Sequence, residues 1–148
     1  MSTVRVLLVE DFEPFRRFVC STLEQRPDLL VIGEVSDGLE AVQKAEELRP
    51  DLILLDIRLE TLNGIEAARR IRRSIPESKI IFLSQESSVD VVEEAFKLGA
   101  LGYVVKARAR SELLDAMEAV RQGRRFISKD VLDHDFPVGK DMPARSLP

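Results

Sequence analysis

Five short apolar runs, at residues 4–9, 30–35, 52–55, 79–83 and 102–105, are each followed by a stretch with helical spacing. This alternation constrains the fold more than any other feature of the chain. The runs are built largely from Val, Ile and Leu, and most lack in–out alternation. Strands buried on both faces of a parallel sheet read this way. Phe15, Phe18, Val19, Thr22 and Leu23 then form one apolar stripe at i, i+3, i+4, i+7 and i+8,. Ala41, Val42, Ala45 and Leu48 mark a second helix, and Ile65, Ala68 and Ile71 a third. Val92, Ala95 and Phe96 mark a fourth, and Leu113, Leu114, Met117 and Val120 a fifth. Pro14 suits a first helical turn, Ser111 is a candidate N-cap, and Gly99 and Gly123 stand where C-caps are expected. The pattern specifies an α/β fold: a doubly wound, five-stranded parallel sheet with helices on both faces and right-handed crossovers.

In such sheets ligands bind beyond the carboxyl ends of the strands. At those ends stand Glu10 and Asp11 after the first run, Asp56 after the third, Ser84 after the fourth and Lys106 after the fifth. Each alone has an ordinary explanation. Asp11 and Ser84 suit helix caps, and Lys106 suits a solvated loop. All five on one rim are hard to explain that way. Unit charges a few ångströms apart repel by ~1 kcal/mol in bulk water and by more near a protein surface. Three gathered carboxylates therefore need either retained protons or a bound cation. An oxygen-only donor set favours a hard ion such as Mg²⁺ (or Mn²⁺), which takes few carboxylates and keeps waters and phosphate oxygens. Lys106 adds a positive charge suited to Asp56 or to a phosphoryl oxygen.

The stretches Val6-Leu7-Leu8-Val9-Glu10-Asp11, Asp51-Leu52-Ile53-Leu54-Leu55-Asp56-Ile57-Arg58-Leu59, Asn63-Gly64 and Gly99-Ala100-Leu101-Gly102-Tyr103-Val104-Val105-Lys106 come in an order that resembles the receivers of two-component response regulators, specifically the NarL/LuxR type. Ser36-Asp37-Gly38 and Glu40-Ala41 match too, so the resemblance covers about residues 4–127. It implies a flavodoxin-like, CheY-like sheet of order 2-1-3-4-5. It also implies Asp56 as phosphoacceptor, with metal ligands from Glu10, Asp11, Asp56 and the carbonyl of Arg58. Ser84 and Lys106 would hold phosphoryl oxygens, and Ser84 with Tyr103 would form the switch. The chain departs from the family's pattern in three places. Leu59-Glu60 replace Met-Pro, Gln85 stands where a small residue is usual, and Ala107 replaces the proline after the lysine. A trans Lys106–Ala107 bond is expected.

The resemblance implies attack by Asp56 on the phosphorus of a phosphohistidine of a sensor histidine kinase or phosphotransfer protein, or on a small phosphodonor. The chain would be a phosphoacceptor that assists its own phosphorylation and dephosphorylation, not a turnover enzyme. Arg58, Gln85 and Glu86 are expected to tune its rates, with Arg58 and Glu86 pairing across the site. The Ser84 hydroxyl would turn inward on phosphorylation, and Tyr103 would swing from exposed to buried. A phosphatase of the haloacid dehalogenase kind also uses a strand-end Asp. It needs a second acid two residues on, where this chain has Arg58.

The net charge of −4 argues against nucleic-acid binding by the domain itself,. The residues after Gly123 are too few for a helix-turn-helix domain, so DNA contact is expected only through an effector domain beyond this chain. The basic run Arg69-Arg70 and Arg72-Arg73 reads as a solvated helix face. One cysteine, Cys20, rules out an internal disulfide and sits near the first helix's apolar stripe,. No apolar run nears the ~20 residues of a membrane span, and the N-terminal apolar segment is too short for a signal peptide, so a cytoplasmic location is expected. Residues 1–127 read as the receiver domain. Residues 128–148, with Pro137, Gly139, Pro143 and Pro148, read as a C-terminal extension or linker stump with a helical turn or two at 128–134. Weak or phosphorylation-dependent homodimerisation is expected.

Overall fold

The computed structural model describes residues 3–134. Strands β1 (Val4–Val9), β2 (Leu29–Val35), β3 (Leu52–Asp56), β4 (Lys79–Ser84) and β5 (Gly102–Val105) alternate with helices α1 (Glu13–Leu23), α2 (Gly38–Leu48), α3 (Gly64–Ser74), α4 (Val89–Lys97) and α5 (Ala109–Arg121). A single 3₁₀ turn, Lys106–Arg108, joins β5 to α5. With a further short strand, β6 (Phe126–Ile127), all pairings are parallel and the order is β2-β1-β3-β4-β5-β6.

The sixth strand is a difference from the expected five. β6 (Phe126–Ile127) has two residues, too few to show any period. Backbone bonds hold it: Phe126 N–H donates to the Leu101 carbonyl at 3.0 Å, and Ser128 N–H to the Tyr103 carbonyl at 2.8 Å. A last helix, α6 (Lys129–His134), follows. The Glu112 carboxylate of α5 accepts from the Ser128 hydroxyl at 2.5 Å and from Lys129 N–H at 3.0 Å. Arg108 pairs with Asp130 at 2.8 Å, and Val131 is buried in the main core. The turn or two of helix expected at 128–134 is present and packed. Residues 135–148 lie outside the described residues.

Along the central strands successive side chains enter different cores, which explains the unbroken apolar runs. Leu7, Val9, Ile53, Leu55, Ile80, Phe82 and Tyr103 face one side, against Ala41, Ala45, Ala68, Ile71, Val92 and Ala95 of α2, α3 and α4. Val6, Leu8, Leu52, Leu54, Ile81, Leu83 and Val104 face the other, against Val19, Leu23, Leu113, Met117 and Val120 of α1 and α5. Each fully buried Val, Leu or Ile contributes ~1.5–3 kcal/mol relative to exposure.

The helix ends agree with most of the sequence reading. Pro14 lies in the first turn of α1. Gly99 and Gly123 end α4 and α5 with positive φ,. Ser111 is the exception: α5 begins at Ala109, so Ser111 lies inside the first turn, and its hydroxyl donates to the Arg108 carbonyl at 3.3 Å.

The loop after β3 is folded tightly behind Asp56. Gly64 N–H donates to the Ile57 carbonyl at 2.7 Å, and a Cβ at Gly64 would stand 2.0 Å from the Asp56 carbonyl oxygen. Asn63 caps α3 by accepting from Glu66 N–H. Only glycine admits this close approach, and it fixes where β3 delivers its last carboxylate.

Candidate functional site

The carboxyl ends of β1, β3 and β5 deliver Glu10, Asp56 and Lys106 to one place. The Lys106 ammonium lies 3.2 Å from Asp56 Oδ2 and 2.9 Å from Glu10 Oε1. The two carboxylates are almost wholly buried, and Asp11 beside them is exposed. One oxygen from each of Glu10, Asp11 and Asp56 can be chosen so that all three lie within 4.8 Å of one another. These residues border an open cleft of about 610 Å³, also lined by Phe12, Phe15, Arg58, Gln85, Val105 and Ala107.

Burial pushes the carboxyl groups of Glu10 and Asp56 above the usual carboxylate range. For Glu10 the hydrogen bond from Lys106 opposes this and the Asp56 charge adds to it. For Asp56 the Lys106 charge and hydrogen bond pull back toward the ionised form, as does Arg58 N–H, which donates to Oδ1 at 3.3 Å. Lys106 thus offsets part of the cost of keeping two carboxylates out of water. Its position is shared with Phe15, whose ring centroid lies 4.8 Å from Nζ,.

A hard cation fits the donor set. Glu10 Oε2 accepts from Phe12 N–H at 3.0 Å and from Lys106 at 3.1 Å. Oε1, though near the ammonium, is buried with no donor aligned on it. Two buried carboxylates with a third, exposed one beside them form an all-oxygen donor set suited to an oxygen-seeking divalent ion,.

Ser84 is buried at the end of β4, and its hydroxyl accepts from Glu86 N–H at 3.0 Å. It does not cap the next helix, because Ser88 caps α4. The Lys106–Ala107 bond is trans, as no peptide bond among the described residues is cis. Arg58, which lines the cleft with Gln85, pairs directly with Glu86, as expected.

Tyr103 differs from expectation. Its ring is fully buried rather than outward, 6.3 Å from the Phe82 ring, and its hydroxyl donates to the Glu86 carbonyl at 2.9 Å. The physical reason is its register. Tyr103 pairs with Phe82 on β4, which turns both rings into the same core. Burial pushes its phenol up to about 12, with the Ser84 hydroxyl partly offsetting this.

The basic run of α3 is engaged within the domain. Arg69 pairs with Glu66 and Glu94, Arg70 with Glu66, and Arg72 donates to the Pro76 carbonyl. Cys20 is half-buried, and burial and Glu34 push its thiol up to about 11. Phe12 and Phe15 had no place in the site read from the sequence. Their signal was present: Phe12 directly follows the acidic pair, and Phe15 is one turn further on.

No helix among the described residues is long and apolar enough to cross a membrane. The family model for the response regulator receiver domain matches residues 6–118. The chain is 42% identical over 120 residues to the transcriptional regulatory protein LiaR of Bacillus subtilis, covering 81% of this chain and 57% of LiaR. It is 34% identical over 130 residues to the response regulator VraR of Staphylococcus aureus, covering 88% and 62%. It thus spans about three-fifths of the length of these relatives. A LuxR-family two-component response regulator from Aurantimonas has a similar structure, with TM-score 0.85 and 35% identity over 89% of this chain and 94% of that one. By sequence, fold and site, this chain belongs to the response regulator receiver domain family.

Proposed function

We propose that Asp56 is the aspartate on which this receiver accepts a phosphoryl group, from a phosphohistidine of a sensor kinase or phosphotransfer protein, in a Mg²⁺-dependent reaction. The observation that carries the reading is the buried Asp56 carboxylate, 3.2 Å from the Lys106 ammonium and grouped with Glu10 and Asp11. Glu10, Asp11, Asp56 and the carbonyl of Arg58 would hold the ion. When bound, the ion neutralises charge on the phosphoryl oxygens. The protein's own groups supply positioning and electrostatics, which dominate phosphoryl transfer.

An oxygen of Asp56 is the nucleophile, so the group must react in its ionised form. Lys106 favours that form and is placed to hold a phosphoryl oxygen afterwards. The Ser84 hydroxyl is a second donor for the same group. The Arg58–Glu86 pair and Gln85 border the mouth through which water reaches the acyl phosphate, so they tune its lifetime. Ser84 and Tyr103 then act as a pair: once the Ser84 hydroxyl turns to the phosphoryl group, the Glu86 segment that holds the Tyr103 hydroxyl is released or tightened with it. The inward ring is one of the two packings between which the equilibrium shifts.

The compact unit serves as a switch for a larger regulator. Residues 1–127 are its receiver domain and residues 128–148 lead onward, their first part resting on Glu112 and Arg108. Self-association controlled by phosphorylation, and DNA contact through an effector domain beyond this chain, follow from the same reading, as does a cytoplasmic location.

Phosphorylation by acetyl phosphate tests the metal and the site together. Asp11→Ala should lose the benefit of Mg²⁺ almost wholly, and Glu10→Ala should lose less, because one carboxylate ligates the ion directly while the other acts through water. Labelling that proceeds equally in chelator and in Mg²⁺ would contradict the reading.

A further inference from the structure

Phe12 is the most exposed large apolar residue among those described, at 61%, and it stands on the lining of the cleft that holds Asp56. It also occupies the N-cap of α1 and makes no side-chain cap there. Ser, Thr, Asp or Asn is preferred at that position, because an oxygen satisfies the helix's open N–H groups. An exposed ring in place of a cap serves neither the helix nor the core. The neighbouring ring, Phe15, is committed: it is packed on the second core and faces the Lys106 ammonium and the Phe18 ring. Phe12 is thus an uncommitted aromatic face at the mouth of the site.

We propose that Phe12 is a specificity-determining residue for the phosphodonor: its ring receives the flat leaving group of an imidazole phosphoramidate. The inference rests on Asp56 being the phosphoacceptor. In the transfer, an Asp56 oxygen forms a bond to phosphorus as the phosphorus–nitrogen bond breaks. The nitrogen keeps that electron pair, and a donor already protonated on its second ring nitrogen departs as neutral imidazole. A flat heteroaromatic ring beside an aromatic side chain gains from offset or edge-to-face contact. Acetyl phosphate has a small, non-aromatic leaving group and gains nothing there. Phe15 is the other ring on the cleft lining, but it is only partly exposed and has Lys106 against it, which leaves Phe12 as the more exposed aromatic surface beside Asp56.

The test compares two small donors, phosphoimidazole and acetyl phosphate, on wild type, Phe12→Ala and Phe12→Tyr, all with Mg²⁺. Phe12→Ala should lower the rate constant for phosphoimidazole by about tenfold, equivalent to ~1.4 kcal/mol, while acetyl phosphate changes less than twofold. Phe12→Tyr should restore the phosphoimidazole rate. Phe12 is exposed, so its replacement leaves the core intact, and an unchanged melting temperature verifies this. Equal rates in wild type and Phe12→Ala for both donors would overturn the proposal, as would an equal loss for both. Failure of wild type to react with either donor would instead overturn the phosphoacceptor reading beneath it.

Discussion

The Lys106 ammonium lies 3.2 Å from Asp56 Oδ2, and the residues that carry these groups are fifty positions apart, Asp56 ending β3 and Lys106 directly following β5, with β4 between the two strands. The contact spans the carboxyl edge of the sheet and gives two buried carboxylates their cation. Lys106→Ala should therefore destabilise the fold by about 1–3 kcal/mol at pH 7.5 and slow phosphorylation by at least tenfold. Glu10 and Asp56 already titrate above the usual carboxylate range, and loss of the lysine raises both further. The penalty applies to the ionised forms, so it is full above the variant's still higher folded-state pKa values and is lost as pH falls below the raised wild-type ones,. Urea unfolding at pH 7.5 and pH 4 measures it. The same loss at both values would mean that Lys106 acts only through packing.

Asp56→Asn should stabilise the fold in the absence of divalent cations. Burial raises the Asp56 pKa, so its ionised form costs stability at neutral pH and the neutral amide escapes that cost,. The gain should be about 2–6 °C in melting temperature, the response of a domain this size to ~1 kcal/mol. It should fade as pH falls through the raised Asp56 pKa, where the native carboxyl takes up a proton,. Added Mg²⁺ should raise the melting temperature of wild type more than that of the variant. Thermal melts across pH, with and without Mg²⁺, decide this, and a variant less stable than wild type at pH 7.5 would contradict it.

Tyr103 is the only tyrosine of a chain without tryptophan, so its spectra are unambiguous. Its phenol should ionise near pH 12 rather than 10, and its fluorescence should resist acrylamide. The unfolded chain loses this proton from about pH 10 upward while the native state holds it to about 12. Stability should therefore fall across that window, and Tyr103→Phe should remove this part of the fall. Titration near pH 10 with ready quenching would place the ring outside.

Glu112 ties β6 and α6 to α5 through Ser128 and Lys129. Glu112→Ala should cost about 1–2 kcal/mol and speed amide exchange at Ser128, whose N–H is bound to the Tyr103 carbonyl. Amide exchange by mass spectrometry reads this directly. Protection unchanged from wild type would mean that backbone pairing alone holds β6.

The sheet and five of its helices were legible in the sequence because parallel strands buried on both faces leave unbroken Val, Ile and Leu runs, and amphipathic helices leave a 3.6-residue period. β6 was not legible: Phe126 and Ile127 give no pattern, and their pairing is decided by where α5 ends. Asp56, Glu10, Asp11 and Lys106 could be read as a group because the fold sends every strand's carboxyl end to one rim. The double engagement of Lys106 with Glu10 and Asp56 depends on side-chain reach, which spacing does not carry. Tyr103 shows the same limit. Its place on the fifth strand was plain, but the side to which its ring turns is set by pairing with Phe82, twenty-one positions earlier on β4. The expected Ser111 cap failed because the 3₁₀ turn at Lys106–Arg108 starts the helical path early.

Peptide mapping by mass spectrometry after incubation with acetyl phosphate and Mg²⁺ tests directly whether Asp56 is the phosphoacceptor. Wild type should carry one phosphoryl group, located on the peptide that contains Asp56, labile to hydroxylamine as an acyl phosphate is, and absent from Asp56→Asn. Undiminished phosphorylation of Asp56→Asn, or a hydroxylamine-stable label on another residue, would contradict it.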